Sequence, residues 1–295
     1  MKILHSFWSK PAMAVQKTDG GRKDGGWLRA RYQYYSCALS CLKARDTFGA
    51  IDLVTDRLGK EILVDAMNLP YRKVEVLLDE LNGFPTELWA VGKLFAYQVQ
   101  REPFFHIDND IFLWAPFSPQ LLAAPLVAQN PELNLDYYKQ VLETCDALEI
   151  QLPEFIRDVD RKSIFSSNAG VIGGNDFGFF ARLSKDAFDF IHVNRNKIET
   201  ATNASLFNVL FEQLFYHHLA RIDEIEIQYV VNKINPNKKE LVNFHITPSR
   251  NGYIHVFGNS LKRDQQVIDN VELAFKLEFP DYYYKVNSLL KEFQI

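Results

Sequence analysis

Two acidic residues stand one position apart inside an apolar run, Asp108 and Asp110 in FFHIDNDIFLW, Phe104 to Trp114. Taking a carboxylate out of water is costly unless a cation or hydrogen-bond donors meet it, so this pair asks for a partner. Alternate residues of a strand point the same way, and an Asn between the acids suits a turn that ends the strand. In either arrangement hard oxygen ligands converge. Mg²⁺ and Mn²⁺ favour such oxygens, usually with phosphates completing the shell. A divalent ion carrying a diphosphate therefore answers the demand. A solvated surface turn is the competing reading of any isolated D-x-D triplet; apolar flanks on both sides, and Lys93 on the segment upstream, favour the ion.

Such a pair has to be positioned by regular elements. KILHSFW (2–8) has the pattern of a first strand. The Gly-rich, charged stretch 17–27 reads as a loop and has neither P-loop nor dinucleotide-fingerprint spacing. Residues 27–48 keep apolar positions at helical spacing and stop before Gly49, a C-cap residue. AIDLVTD (50–56) predicts a second strand with Asp56 at its carboxyl end, and DRLGKEILVDAM a loop followed by a helix or short strand. LPYRKVEVLLDEL fits both periods. Residues 86–100 read as a helix, directly before the strand that bears the acidic pair. Strands alternating with helices imply right-handed βαβ crossovers and a mostly parallel sheet, whose ligands gather at the strands' carboxyl ends. Asp56, Asp108 and Asp110 all fall there.

Further on, a Pro-rich stretch leads to a helix in LNLDYYKQVLETCDAL. Residues 163–183 contain a small-residue strand with four Gly, where a ligand or backbone can come close. DAFDFIHVNRNKIE and LFNVLFEQLFYHHLARI predict helices, IEIQYVV and YIHVFGN strands, and 269–293 an aromatic helical end interrupted at Pro280. The net charge of −4 gives no general attraction to nucleic acid or anionic lipid. Three Cys form neither a disulfide framework nor a zinc-site spacing. With no apolar segment of secretory or membrane-spanning length, the expected setting is cytoplasmic.

The order of motifs resembles the GT-A nucleotide-sugar glycosyltransferases, particularly the retaining type related to glycogenin and the lipopolysaccharide galactosyltransferases. GKLFAYQVQREPFFHIDNDIFL resembles their basic helix, strand and D-x-D; SNAGVIGGN is similar to their F-N-A-G-V segment through Asn168, Ala169 and Gly170. FEQLF resembles the acidic-Gln segment through Glu212 and Gln213, and HVFGNSLK the C-terminal H-x-x-G-x-x-K segment through His255, Gly258 and Lys262. Lys262 lies one residue farther from His255 than in the family pattern, no Pro-Trp follows it, and the first strand lacks the family's polar cluster.

The resemblance implies a GT-A-like α/β fold: a mixed, mostly parallel central sheet flanked by helices, as a catalytic domain over 1–262 with a C-terminal helical extension, 263–295, packed on it. It implies Asp108, Asp110 and His255 as ligands of Mn²⁺ (or Mg²⁺), with Lys93, Asp108, Gly258 and Lys262 at the nucleotide. Asn168, Glu212 and Gln213 would act at the sugar or acceptor. The implied activity moves a hexose from a nucleoside diphosphate sugar, UDP-linked by the same resemblance, to a glycan, lipid-linked sugar, peptide or small-molecule acceptor, with retention of configuration and without nucleic acid; a homodimer is compatible with it. Inversion would need a general base, for which Glu212 and Asp176 are candidates. A catalytically silent sugar- or nucleotide-binding module and a sugar-nucleotide nucleotidyltransferase are the alternatives.

Overall fold

The computed structural model describes residues 1–14, 23–247 and 252–292. The part of the Gly-rich loop between 15 and 22, and Phe293 of the aromatic end, lie outside the described residues. Eleven strands are described: β1 (Lys2–Phe7), β2 (Asp52–Thr55), β3 (Val74–Val76), β4 (Phe104–Ile107), β5 (Ile111–Leu113), β6 (Leu126–Ala128), β7 (Pro131–Leu133), β8 (Phe165–Ser167), β9 (Val171–Gly174), β10 (Ile227–Tyr229) and β11 (Tyr253–His255). Seven build one sheet in the order β10-β6-β9-β4-β1-β2-β3. Pairing is parallel for β1 with β2 and β4, for β2 with β3 and for β10 with β6. β9 alone runs against its neighbours β4 and β6. Its start, not its end, therefore reaches the carboxyl edge of the other six.

Helices cover both faces, so the molecule is a mixed α/β protein with a largely parallel central sheet. One core joins Ile3, Leu53, Phe105 and Ile107 to the helix Ala30–Phe48 and to the C-terminal helices Gln265–Glu278 and Pro280–Glu292. The opposite core joins Leu4, Val54, Phe104 and Ile172 to the helices Val91–Gln98, Asp136–Ala147 and Phe177–Glu199. Strand alternation divides neighbouring residues such as Ile3 and Leu4, or Phe104 and Phe105, between the two layers.

The helix Ala30–Phe48 is buried from Tyr32 to Ala44 and ends as expected: Gly49 adopts φ 82° and donates its N–H to Arg45 O at 2.7 Å. Cys37 and Cys41 are buried on it, and Cys145 is buried too. Burial pushes the Cys37 and Cys145 thiols up to about 12, which leaves them inert.

Several local readings change. The 86–100 helix shortens to Val91–Gln98, since its first residues form turns after Pro85. DRLGKEILVDAM holds a short helix, Arg57–Lys60, that runs directly into a π-helical turn at Glu61–Ala66. The ambiguous LPYRKVEVLLDEL holds the three-residue edge strand β3 and the 3₁₀ turn Leu78–Gly83, too short for either period to dominate. In the glycine-rich strand it is backbone that approaches. A Cβ at Gly173 would lie 2.1 Å from Phe104 O, and one at Gly174 2.0 Å from Pro125 O.

Candidate functional site

β4 ends at Ile107, and the next three residues form a turn at the sheet's carboxyl edge. Asp108 N–H bonds Gly170 O at 2.9 Å, and Ile111 N–H bonds Asp108 O at 3.0 Å. Asn109 donates to Ser6 O at 2.8 Å, while Ser36 Oγ donates to Asn109 O at 2.8 Å. The turn is thereby tied to β1 and to the long first helix. The chain then restarts as β5 and leaves the main sheet to pair antiparallel with β11, Ile111 opposite His255. Val256 N–H bonds Asp110 O at 3.0 Å. This register sets His255 Nε2 3.3 Å from Asp110 Oδ1. One ligand atom each of Asp108, Asp110 and His255 lies within 4.8 Å of the others.

These residues fit a divalent cation. Asp110 Oδ1 is buried and accepts no hydrogen bond. Two ligands of one ion, each about 2.1 Å from it, stand roughly 3 Å apart when adjacent, close to the 3.3 Å between Asp110 Oδ1 and His255 Nε2. The His255 ring is pressed against Gly170, where a Cβ would come within 2.4 Å of its Cε1. On the other side of Asp110, Lys262 Nζ is 2.7 Å from Oδ2 and 2.8 Å from Gly25 O, above the Trp27 ring. Burial opposes ionisation of Asp110, but Lys262 and, after it, His255 outweigh burial and hold the carboxyl far below its ordinary range. Gly258, with a φ of 74°, turns the chain from β11 into the helix Gly258–Lys262, which brings Lys262 to Asp110.

Asp108 faces a different cation. Lys93 Nζ, from the helix Val91–Gln98, is 2.8 Å from Asp108 Oδ1, 2.6 Å from Glu212 Oε1 and 3.0 Å from Ala169 O. Burial works against the Lys93 charge, but Asp108 and Glu212 together raise its pKa above the ordinary value. Burial also raises Glu212, against the pull of Lys93. Tyr97 OH donates to Glu212 Oε1 at 3.0 Å, and Glu212 Oε2 is buried without a hydrogen-bond partner. Glu212 is thus no exposed carboxylate on the outer side of an aromatic helix. It sits on a π-helical turn, Val209–Leu214, a device frequent at functional sites.

Gln213, the next residue, opens a second chain of polar contacts. Its Oε1 lies 2.6 Å from Tyr138 OH, and Tyr138 OH also contacts Glu132 Oε2. Asn168 Nδ2 donates to Glu132 Oε1 at 3.0 Å, and Tyr137 OH donates to Oε2 at 3.0 Å. Asn168 is not a free turn residue. The motifs do not reveal Glu132: it lies on the three-residue strand β7 and is turned inward by pairing opposite Ser166. An acid between the apolar residues of NPELNL was the only signal.

An open cleft runs along the carboxyl edge, walled in part by Trp8, Trp27 and Trp89, with Lys93, Asp108, Asp110 and Lys262 among its lining. Two other acids do not belong to it. Asp56 does stand at the end of β2, but its side chain accepts from Ser9 N, Ser9 Oγ and Gly59 N at 2.9, 2.6 and 2.8 Å, fixing a helix start. Asp176 caps the helix Phe177–Glu199 through Phe179 N at 2.9 Å. Because β9 is reversed, Asp176 follows it at the opposite edge of the sheet, which removes it as a base. His217 and His218 contact Ser167 Oγ and Phe165 O, and burial lowers both to about 4, as packing histidines.

Residues 1–289 match the model of DUF6734, a family of unknown function. No curated protein matches the chain in sequence. Solved structures similar to it include an active-site mutant of LgtC, at 12% identity and TM-score 0.45 over 88% of each chain. The galactosyltransferase LgtC in complex with donor and acceptor sugar analogs is similar at 14% identity and TM-score 0.43, over 88% of this chain and 87% of that one. The glycosyltransferase GlyE of Streptococcus pneumoniae TIGR4 is similar at 10% identity and TM-score 0.43, over 99% of this chain and 64% of GlyE. Likenesses of this depth leave the chemistry to be argued from the side chains.

Proposed function

We propose that this chain, which belongs to the DUF6734 family, is a metal-dependent glycosyltransferase that moves a hexose from a nucleoside diphosphate sugar to an acceptor. UDP-sugar is the proposed donor, Mn²⁺ the proposed ion, retention the proposed outcome and the cytoplasm the proposed setting. The observation that carries the reading is the facing of Asp110 Oδ1 and His255 Nε2 at 3.3 Å, with Asp108 and Asp110 lining a cleft that Lys93 and Lys262 also line.

Asp108, Asp110 and His255 would hold the ion, which when bound supplies Lewis-acid stabilisation of the departing diphosphate. An imidazole among the ligands favours Mn²⁺ over Mg²⁺. Lys262, already beside Asp110, adds fixed positive charge where the diphosphate's negative charge grows. The tryptophans offer flat apolar faces to the base. Asn168 and Glu132, joined to each other and to Gln213 through Tyr138, would orient sugar hydroxyls. Glu212 Oε2, buried without a donor, would act toward the sugar as an acceptor or as a countercharge to the anomeric carbon. An inverting transfer requires a general base beside the acceptor. Glu212 is tied to Lys93 and Tyr97, and Glu132 to Asn168 and two tyrosines, so neither is presented as one.

The test is UDP release from UDP-hexoses with and without Mn²⁺ across an acceptor panel. Metal-dependent release that rises with one acceptor supports the reading. Donor binding with no turnover on any acceptor would replace it by a silent binding module.

A further inference from the structure

One side chain outside the ligand set decides which nitrogen of His255 can meet a cation. We infer that Gln129 is a positioning residue that holds the His255 ring with its proton on Nδ1 and so presents Nε2 toward Asp110 as the nitrogen that can meet a cation. The inference rests on the metal-dependent reading above for its purpose, and on hydrogen-bond accounting for its content.

One group in the chain of contacts has only a single option. Pro131 O can only accept, and Asn130 Nδ2 lies 3.0 Å from it. The Asn130 amino end is therefore committed, and its Oδ1 must face the other way. That oxygen lies 3.0 Å from Gln129 Nε2. The amino end of Gln129 is committed in turn, which leaves its Oε1 to receive Tyr253 OH at 2.5 Å and His255 Nδ1. An amide oxygen cannot donate, so His255 Nδ1 must carry the proton. In the neutral ring Nε2 then holds a lone pair, aimed at an Asp110 oxygen that also has no donor. Two acceptors 3.3 Å apart are relieved by a metal ion or by a proton on Nε2, and the neutral Nδ1–H ring is the form that can take the ion.

The backbone holds the orienting amide in place. Gln129 directly follows β6; its N–H bonds Asn168 O at 3.0 Å and its carbonyl accepts from Val231 N at 2.7 Å. Gly170 leaves the room needed, since a Cβ there would stand 2.3 Å from Gln129 Oε1 and 2.7 Å from His255 Nδ1. Partners of metal-bound imidazoles commonly act in this way, and their removal costs about 10–100-fold in metal affinity.

The experiment combines two readouts on the full chain: long-range ¹H–¹⁵N correlation of the His255 ring in the metal-free protein, and Mn²⁺ affinity by electron paramagnetic resonance. Wild type should show the Nδ1–H tautomer. Gln129→Met, close in volume but without the acceptor, should lose that tautomer and bind Mn²⁺ about 10–100-fold more weakly. Gln129→Glu retains an acceptor for Nδ1–H and should recover most of the affinity, which separates ring orientation from packing damage. Circular dichroism confirms that each variant is folded; should Gln129→Met fail to fold, the wild-type tautomer and the Gln129→Glu affinity decide. An Nε2–H ring in wild type, or full Mn²⁺ affinity in folded Gln129→Met, overturns the inference. A wild-type protein with the Nδ1–H ring that binds no divalent ion would instead overturn the metal-dependent reading while sustaining the tautomer assignment.

Discussion

Asp108 and Asp110 are one residue apart, yet the fold gives them opposite surroundings. Asp108 points to Lys93, an ammonium shared with Glu212 and Ala169 O, so its charge is answered from within the chain. Asp110 has Lys262 on one oxygen, but its other oxygen faces His255 Nε2 and no donor. A site that binds an external cation needs both arrangements: an internal cation that keeps the acids in place, and an acceptor set left incomplete. A cluster balanced throughout would have no use for an ion, and one balanced nowhere would not stay buried.

The largest expected effect comes from breaking the balanced half. Lys93→Met leaves Glu212 buried beside Asp108 without its cation, and loss of one partner of a buried pair costs about 3–5 kcal/mol. Urea denaturation measures this directly. A loss below about 1 kcal/mol, the range of exposed pairs, would mean that Glu212 is not held by Lys93. The incomplete half should respond in binding as well as in stability, since the Asp110–Lys262 pair is buried too. Asp110→Asn should abolish the Mn²⁺-dependent rise in melting temperature with UDP, which at a hundredfold excess over Kd corresponds to about 2.7 kcal/mol. A retained rise would remove Asp110 from the ligand set. Lys262→Met sharpens the contrast, since Lys262 now lies on Asp110 Oδ2. Mn²⁺ alone should bind more tightly to this variant, and UDP more weakly by about tenfold, roughly 1.4 kcal/mol. Titration calorimetry reads both, and weakening of both would show that Lys262 supports the acid and does not compete for it.

What was legible in the sequence follows the same division. The D-x-D turn, Lys93 and the strand–helix alternation are local patterns, and spacing alone exposes them. The pairing of β5 with β11 is not local: two three-residue strands far apart in the chain carry too little pattern to announce their register, and that register brings His255 to Asp110. Only the order of motifs connected those two residues. Glu132 and Gln129 were invisible for a related reason, since a side chain on or beside a very short strand becomes buried through its neighbours and not through its own periodicity. Asp56 and Asp176 mislead in the opposite direction. An acid at the end of a strand reads equally well as a ligand or as the cap of the next helix, and both proved to be caps.

Glu132 supplies the smallest expected effect. Burial raises its pKa, and the hydrogen bonds from Tyr138, Asn168 and Tyr137 offset that only in part. A folded-state value above the unfolded one, about 4.3, means that the native protein binds more protons than the unfolded chain just above that pH. The stability linked to this group is therefore complete below about 4.3 and is lost as pH rises through the folded value. Glu132→Gln removes the titration but keeps an oxygen to accept from Asn168. Its unfolding free energy should lack the decline that wild type shows above about pH 4.3, while at neutral pH the two should agree within about 1 kcal/mol. Identical slopes in chemical denaturation between pH 4 and 7 would place the Glu132 carboxyl in the ordinary range. The buried network joining Asn168 to Gln213 would then carry a full negative charge, and it would belong with the balanced half of the site.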